Sequence, residues 1–153
     1  MMNRHDPSAD LNVRVCTELD IPSLVSLLKD ARLPYLDIDE HIATFYIAED
    51  ASGVIVGCVG LEKHNTCGLL RSLLVSKHSR NNGYGVLLFE YAQKKAKLLG
   101  VEEMYLLTTD ARDYFLSKGF VVDERARVPV EIKNTKQFSS LCPESATVMS
   151  KVL

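Results

Sequence analysis

The sequence predicts an α/β fold, an α+β mixed sheet with helices against it, and three features of the 153 residues carry that prediction. Short apolar runs of strand character fill the first half: Val13 to Cys16, Thr44 to Glu49, Val54 to Leu61 and Leu69 to Val75. Two stretches of helical period, Val86 to Leu99 and Ala111 to Lys118, then alternate with the strand-like runs Met104 to Thr109 and Thr147 to Leu153. Between these halves, Arg80-Asn81-Asn82-Gly83-Tyr84-Gly85 marks a tight passage from strand into helix. A hydrophobic content of 46% in a chain of this length fits one domain with an ordinary core, placed at 13–153, with 1–12 read as a disordered N-terminal segment.

Val13 to Cys16 is the first strand. Asp20 follows as a helix N-cap, with Leu19 and Leu24 spaced as a hydrophobic staple. Leu24, Leu27, Leu28 and Ala31 recur at helical spacing until Pro34 stops the run. Residues 35–42 read as a short second helix or an irregular loop. Asp50-Ala51-Ser52-Gly53 between two apolar runs is a hairpin signal, and Leu69 to Val75 is the next antiparallel strand after a loop at Lys63-His64-Asn65-Thr66. The helix behind the glycines puts Leu88, Tyr91, Ala92, Ala96 and Leu99 on one core-facing side, with Lys94, Lys95 and Lys97 toward its negative end and Gly100 as terminator. Asp110 can cap the helix from Ala111 to Lys118, and Gly119 ends it. Residues 125–145 read as irregular.

The glycine-bearing turn carries the chemistry. A helix start leaves four backbone N–H groups unpaired and holds about half a positive charge, so it attracts a multiply charged anion. Gly83 and Gly85 have no Cβ, which lets the backbone approach phosphate oxygens closely. The same glycines can also form a plain tight turn. A Rossmann fingerprint needs a small residue where this chain has Leu88, and a P-loop needs a Gly-Lys-Ser/Thr ending that is absent. What remains is Arg/Gln-x-x-Gly-x-Gly/Ala behind a Leu-Leu-Val strand, and on these residues the chain resembles the GCN5-related N-acetyltransferases (GNAT). The resemblance runs on through the next helix, strand and helix to Gly119-Phe120 and covers about Val13 to the C-terminus.

Composition narrows the partners. Net charge is −2 with acids and bases interspersed, so no basic face calls for nucleic acid, and a small molecule is the expected partner. No apolar run is long enough to cross a bilayer and the start lacks a signal-peptide core, which predicts a cytoplasmic protein away from membranes. Cys16, Cys58, Cys67 and Cys142 are scattered without ligand spacing, so no metal and no disulfide framework is expected. Exposed apolar edges leave room for a homodimer.

The resemblance implies a mostly antiparallel GNAT-like sheet with a splayed cofactor cleft, acetyl-CoA as cofactor and direct attack of an amine on the thioester. Its diphosphate would lie on Arg80, Asn81, Asn82, Gly83, Tyr84, Gly85 and Val86, and backbone groups of Leu73, Leu74 and Val75 would meet the pantetheine arm and the oxyanion. Acetyl transfer needs a base for the ammonium. Glu62 is the choice, at the end of its strand, although a solvated loop carboxylate is the alternative, and His64 beside it is the weaker candidate. Asp37, Asp39 and Glu40 are further options. Many relatives carry Phe-Tyr-x-x-x-Gly-Phe with the tyrosine as acid. Here Phe115 takes that position and Tyr114 stands one place earlier, about 100 degrees around a helix, so Tyr114 is either the acid or a packing aromatic, with Phe115 toward the cofactor.

Arg71 lies within an apolar strand beside Ser72, and a cation there must pair, face a polar cavity or reach solvent. The strings Leu70-Arg71-Ser72, Leu106-Leu107-Thr108-Thr109 and Phe138-Ser139-Ser140-Leu141-Cys142-Pro143 resemble the arsenic-resistance operon (ArsN-type) branch, which is similar to enzymes acetylating glutamate-like toxins. That likeness implies an acceptor pocket from Arg71, Ser72, Phe138, Ser139, Ser140 and Cys142. Cys142 is otherwise a structural thiol. Competing readings are a non-catalytic acyl-CoA-binding or trivalent-arsenic-binding protein, and an enzyme acetylating a protein N-terminus or lysine.

Overall fold

The computed structural model describes residues 11–38 and 44–153, with the backbone alone at Ser140 and Leu141. The elements are β1 (Asn12–Val15), α1 (Ile21–Asp30), β2 (Phe45–Glu49), β3 (Ile55–His64), β4 (Cys67–Val75), α2 (Tyr84–Leu98), β5 (Glu103–Thr108), α3 (Arg112–Ser117), β6 (Val121–Val122), α4 (Val130–Lys133) and β7 (Thr147–Val152). Seven strands hydrogen-bond in the order β1-β2-β3-β4-β5-β7-β6. β4 and β5 run parallel, as a crossover through α2 requires, whereas β1 with β2, β2 with β3, β5 with β7 and β6 with β7 are antiparallel. This is the mixed, mostly antiparallel sheet expected. The β4–β5 pairs are three, from Cys67↔Glu103 to Leu69↔Tyr105.

The chain forms two compact units, Met1–Gly60 with Ser72–Gln93 and Leu61–Arg71 with Lys94–Leu153. In the first, Leu24 and Leu28 of α1 pack with Phe45, Ile47, Cys58 and Leu74. Asp20 precedes α1, yet its carboxylate turns back, accepting from the Thr17 N–H at 2.7 Å, the Thr17 hydroxyl at 3.1 Å and both terminal Arg14 nitrogens at 2.8 and 2.9 Å. The expected staple is absent: Leu19 is 91% exposed while Leu24 is enclosed, because a single 3₁₀ turn at Glu18–Asp20 points Leu19 outward. The hairpin after β2 forms as expected, with the Asp50 side chain accepting from the N–H groups of Ser52 and Val54 at 2.8 and 3.0 Å and Gly53 at φ +80°.

Gly57 sets the spacing of this unit. A Cβ there would stand 2.8 Å from the Leu74 carbonyl oxygen and 2.9 Å from a Leu88 methyl, so only glycine lets β3 lie this close to β4 and the first turns of α2. On α2 itself, Leu88, Ala92 and Ala96 are fully enclosed. Leu99, expected beside them, is 46% exposed because the helix ends at Leu98; Gly100 at φ +86° reverses the chain and Val101, bonded to the Ala96 carbonyl at 2.9 Å, is buried instead.

In the second unit, Leu69, Tyr105, Val128, Ile132 and Val148 form the core. Thr108, not Asp110, meets the start of α3: its hydroxyl accepts from the Ala111 N–H at 2.9 Å. The 125–145 stretch is more ordered than the sequence indicates, with a 3₁₀ turn at Arg125–Arg127, α4 and a π turn at Gln137–Leu141. Arg125 holds it together, donating to the carbonyls of Pro143, Glu144 and Ala146 at 3.2, 3.0 and 3.3 Å while lying 5.1 Å over the Phe138 ring.

Two stability measurements follow from these contacts. Gly57→Ala should cost about 1–3 kcal/mol in urea denaturation, because the clashing atom at Leu74 is backbone and cannot step aside. The Arg14 fork and the Thr17 donors hold the Asp20 carboxyl down at about 2. Its folded value lies below the ordinary range near ~3.9, so its contribution is present above about pH 4 and is lost as pH falls toward 2. Asp20→Asn should therefore lower the urea midpoint at pH 7 and flatten its decline between pH 5 and pH 2.

Candidate active site

β4 leaves the sheet at Val75 and enters a turn fixed by its own atoms. The Ser76 N–H donates to the Val56 carbonyl at 2.8 Å, and Lys77–Ser79 form one 3₁₀ turn closed by the Ser79 N–H on the Ser76 carbonyl at 3.0 Å. Arg80 Nε donates back to the Val75 carbonyl at 3.1 Å, and the Asn82 amide donates to the Ser79 carbonyl at 3.2 Å. Asn81 and Gly83 take left-handed backbone at φ +68° and +77°, a region that asparagine and glycine tolerate best. α2 then begins at Tyr84, and the Leu87 N–H closes on the Gly83 carbonyl at 3.2 Å. The amides of Gly83, Tyr84, Gly85 and Val86 thus precede the first intrahelical bond and point out at the positive end of a 15-residue helix. Arg80, Asn81, Asn82 and Gly83 are exposed, Gly85 and Val86 half-buried and Tyr84 buried.

Beside the turn a cleft of about 430 Å³ opens, with Leu27 of α1 and Ala31 just past its end on one side and Leu74, Val75, Lys77 and Arg80 on the other. Just before it, Ser72 breaks the pleat of β4 with φ +56°, a conformation costing a non-glycine residue about 1–2 kcal/mol, and its carbonyl accepts from the Cys58 thiol at 3.3 Å. Leu73, Leu74 and Val75 complete the strand. Asp37, considered as a base, is buried, and Asp39 and Glu40 lie outside the described residues.

The second unit gathers a polar cluster in its interior. Glu62 is 3% exposed, so it is not the solvated loop carboxylate of the alternative reading. Its Oε2 accepts from an Arg71 terminal nitrogen at 3.3 Å, and its Oε1 lies 3.3 Å from His64 Nε2. Arg71 is enclosed and does not reach solvent. Its other donors face Gln137, whose amide oxygen accepts from Nε at 3.2 Å and from the second terminal nitrogen at 3.1 Å. The far end of that amide lies 3.6 Å from Cys142 Sγ. Gln137, a residue that sequence reasoning missed, thus links Cys142 to the Arg71–Glu62 pair. Nothing but its place beside the Phe138 to Cys142 string could have pointed to it.

The other predicted positions are more separate. Phe138 stacks under Arg125, Ser139 is exposed with its N–H on the Thr135 carbonyl at 2.9 Å, and the Ser140 side chain lies outside the described residues. Tyr114 is half-buried on α3, edge-on to Phe115 at 5.2 Å and 5.3 Å beneath Lys118 Nζ, while Phe115 packs at 5.6 Å on Phe120. Burial pushes the Cys16 thiol up to about 11 and raises Cys67 as well, which keeps both as thiols rather than thiolates at neutral pH. Among the described residues no three His, Cys, Asp or Glu side chains gather to hold a metal ion, and no helix is long and apolar enough to cross a membrane.

Comparison with known proteins agrees with this architecture. Residues 41–122 match the Acetyltransferase (GNAT) domain. Protein YwlB of Bacillus subtilis, whose function is uncharacterized, is 33% identical over 144 residues, covering 91% of this chain and 95% of that protein. An amino-acid acetyltransferase of Pasteurella multocida is 30% identical over 125 residues, or 76% of this chain; the match spans 28% of that longer protein. The structure of N-acetylglutamate synthase from Neisseria gonorrhoeae, complexed with coenzyme A and N-acetyl-glutamate, shares the fold at a TM-score of 0.80 and 22% identity, covering 94% of this chain and 35% of that one.

The enclosed ion pair makes a sharp expectation for stability. Arg71→Met leaves the Glu62 carboxylate buried without its cation and should cost about 3–5 kcal/mol, whereas adding Glu62→Leu should recover most of that loss in a double-mutant denaturation cycle.

Proposed function

Because the chain belongs to the GNAT acetyltransferase family, we propose that it transfers the acetyl group of acetyl-CoA to the amine of a small amino-acid-like acceptor. The observation carrying this is the set of outward amides from Gly83 to Val86 at the start of α2, directly beyond the end of β4. A diphosphate on those amides, flanked by Arg80, Asn81 and Asn82, gains charge-assisted hydrogen bonds of roughly 1.5–3 kcal/mol each. The pantetheine arm would then run along the backbone of Leu73, Leu74 and Val75, whose N–H groups would receive the oxyanion.

Glu62 removes a proton from the acceptor ammonium, and the free amine attacks the thioester carbon. The C–N bond forms, the C–S bond breaks, and coenzyme A leaves as thiolate. Tyr114 would supply the proton for that sulfur, with Phe115 against the cofactor; a thiol of pKa about 8.5 also leaves unaided, so loss of Tyr114 should slow rather than abolish turnover. Arg71 holds the Glu62 carboxylate in place, and Ser72, Phe138, Ser139, Ser140 and Cys142 would border the acceptor.

The amino-acid acetyltransferase relatives, and the N-acetyl-glutamate bound by the fold neighbour, support a glutamate-like acceptor. Its finer form is a glutamate-like arsenical or phosphinic toxin, the substrate class of the arsenic-resistance branch. We further propose that residues 13–153 act as one acetyltransferase domain, in the cytoplasm and as a homodimer. A second reading, an acyl-CoA sensor without catalysis, is favoured by Phe115 at the position where many relatives carry tyrosine.

Calorimetry and thiol detection test these readings together. Acetyl-CoA should bind, and Gly83→Val with Gly85→Val should weaken it about 10- to 100-fold. Purified protein should release free thiol with glutamate, its phosphinic and arsenical analogues or another amino acid. Tight binding with no thiol released across that panel would make the sensor the better account.

A further inference from the structure

We propose that His64 is the outlet through which Glu62 returns its proton to water after each turnover. The proposal rests on the reading of Glu62 as the base and goes one step beyond it. Acetylating an ammonium yields amide, free thiol and one proton, and that proton stands first on Glu62. Glu62 is enclosed, and its partner Arg71 is enclosed with it. While Glu62 is protonated, Arg71 keeps a buried charge facing a neutral acid, so the resting pair re-forms only when the proton leaves.

Three groups in contact with the pair differ in what they can accept. Arg71 carries its proton permanently and has no lone pair to offer, and the Gln137 amide is not a base. The His64 imidazole has two ring nitrogens, so it can accept a proton on one and give one up from the other. Its Nε2 lies 3.3 Å from Glu62 Oε1, and its side chain is 29% exposed against 4% for Glu62. The two residues are i and i+2 on β3, so the pleat turns both to one face of the strand, and His64 is the last residue before the Asn65–Thr66 turn. His64 is therefore in contact with the buried carboxylate and with solvent at once.

The step balances without a further reagent. With the His64 proton on Nδ1, Nε2 accepts the proton from Glu62 Oε1, giving imidazolium and the carboxylate that Arg71 holds. The Nδ1 proton then passes to water, leaving a neutral ring with its proton on Nε2, and exchange with water returns the ring to the Nδ1–H form before the next turnover. No bond to carbon is made or broken in the relay.

Four enzymes, wild type, His64→Gln, His64→Ala and Glu62→Gln, distinguish this from a packing role. His64→Gln keeps a polar contact to Glu62 but carries no proton; it should lose kcat at least about tenfold with the acetyl-CoA KM unchanged. His64→Ala should lose kcat similarly and regain it as imidazole is added, with saturation. Glu62→Gln should be nearly inactive at every imidazole concentration. Wild-type kcat in His64→Gln, or a slow His64→Ala that imidazole does not restore, overturns the relay while the base assignment stands. Wild-type kcat in Glu62→Gln overturns the base assignment and the relay together.

Discussion

A guanidinium sealed inside the second unit is the constraint around which the candidate site is organised. Arg71 is drawn from a strand that, apart from Cys67 and Ser72, is otherwise leucine, valine and glycine, and its side chain is fully enclosed. A charge so placed must be met by an opposite charge and by acceptors for its remaining donors, or the unit does not form. Glu62, nine residues away across the β3–β4 hairpin, meets the charge. Gln137 meets the remaining fork from a part of the chain without any strand, and this is why the π turn at Gln137–Leu141 has a defined place. One cation thus orders two strands and a loop.

The first unit is organised by backbone instead. Gly57 brings β3 against the Leu74 carbonyl and the Leu88 side chain, so the end of β4 and the start of α2 are held at a distance that a methyl group would exceed. Ser72 then departs from the pleat, and Asn81 and Gly83 turn the chain into the helix. Side chains contribute mainly by closing the turn on itself, as Arg80 does on Val75 and Asn82 on Ser79. The outcome is a row of amides whose direction is fixed before any ligand arrives, and preorganised donors of this kind hold an anion without first rearranging.

Legibility in the sequence followed the range of the interaction. Strands, the Asp50–Gly53 hairpin, the glycine turn and the helix behind it were all readable, because each depends on periodicity or on neighbours a few residues apart. The errors came where a local rule met a tertiary competitor. Asp20 has the spacing of a cap, but Arg14 draws its carboxylate backward. Leu99 has the period of a core residue, but the helix stops one place short of it. Asp110 stands where a cap belongs, yet Thr108 at the strand end is nearer the open amide. The Gln137 contact joins positions 66 residues apart and left no periodic trace, as is true of most pairings made by loops.

The same buried pair bears on why the site has charge at all. Apolar residues of similar volume in place of Glu62 and Arg71 would hold the hairpin as firmly or more so, since desolvating two ions offsets much of their attraction. Stability therefore gives no reason for the pair, whereas the role proposed for Glu62 as base does. A carboxylate proposed to receive a proton from an ammonium benefits from a fixed cation beside it and from a position that does not drift in solvent. Burial supplies the fixed position and also creates the difficulty, because a proton taken up in an enclosed place has to leave it. A histidine set two residues further along the same strand, half in contact with the carboxylate and half with water, is the economical arrangement for that departure.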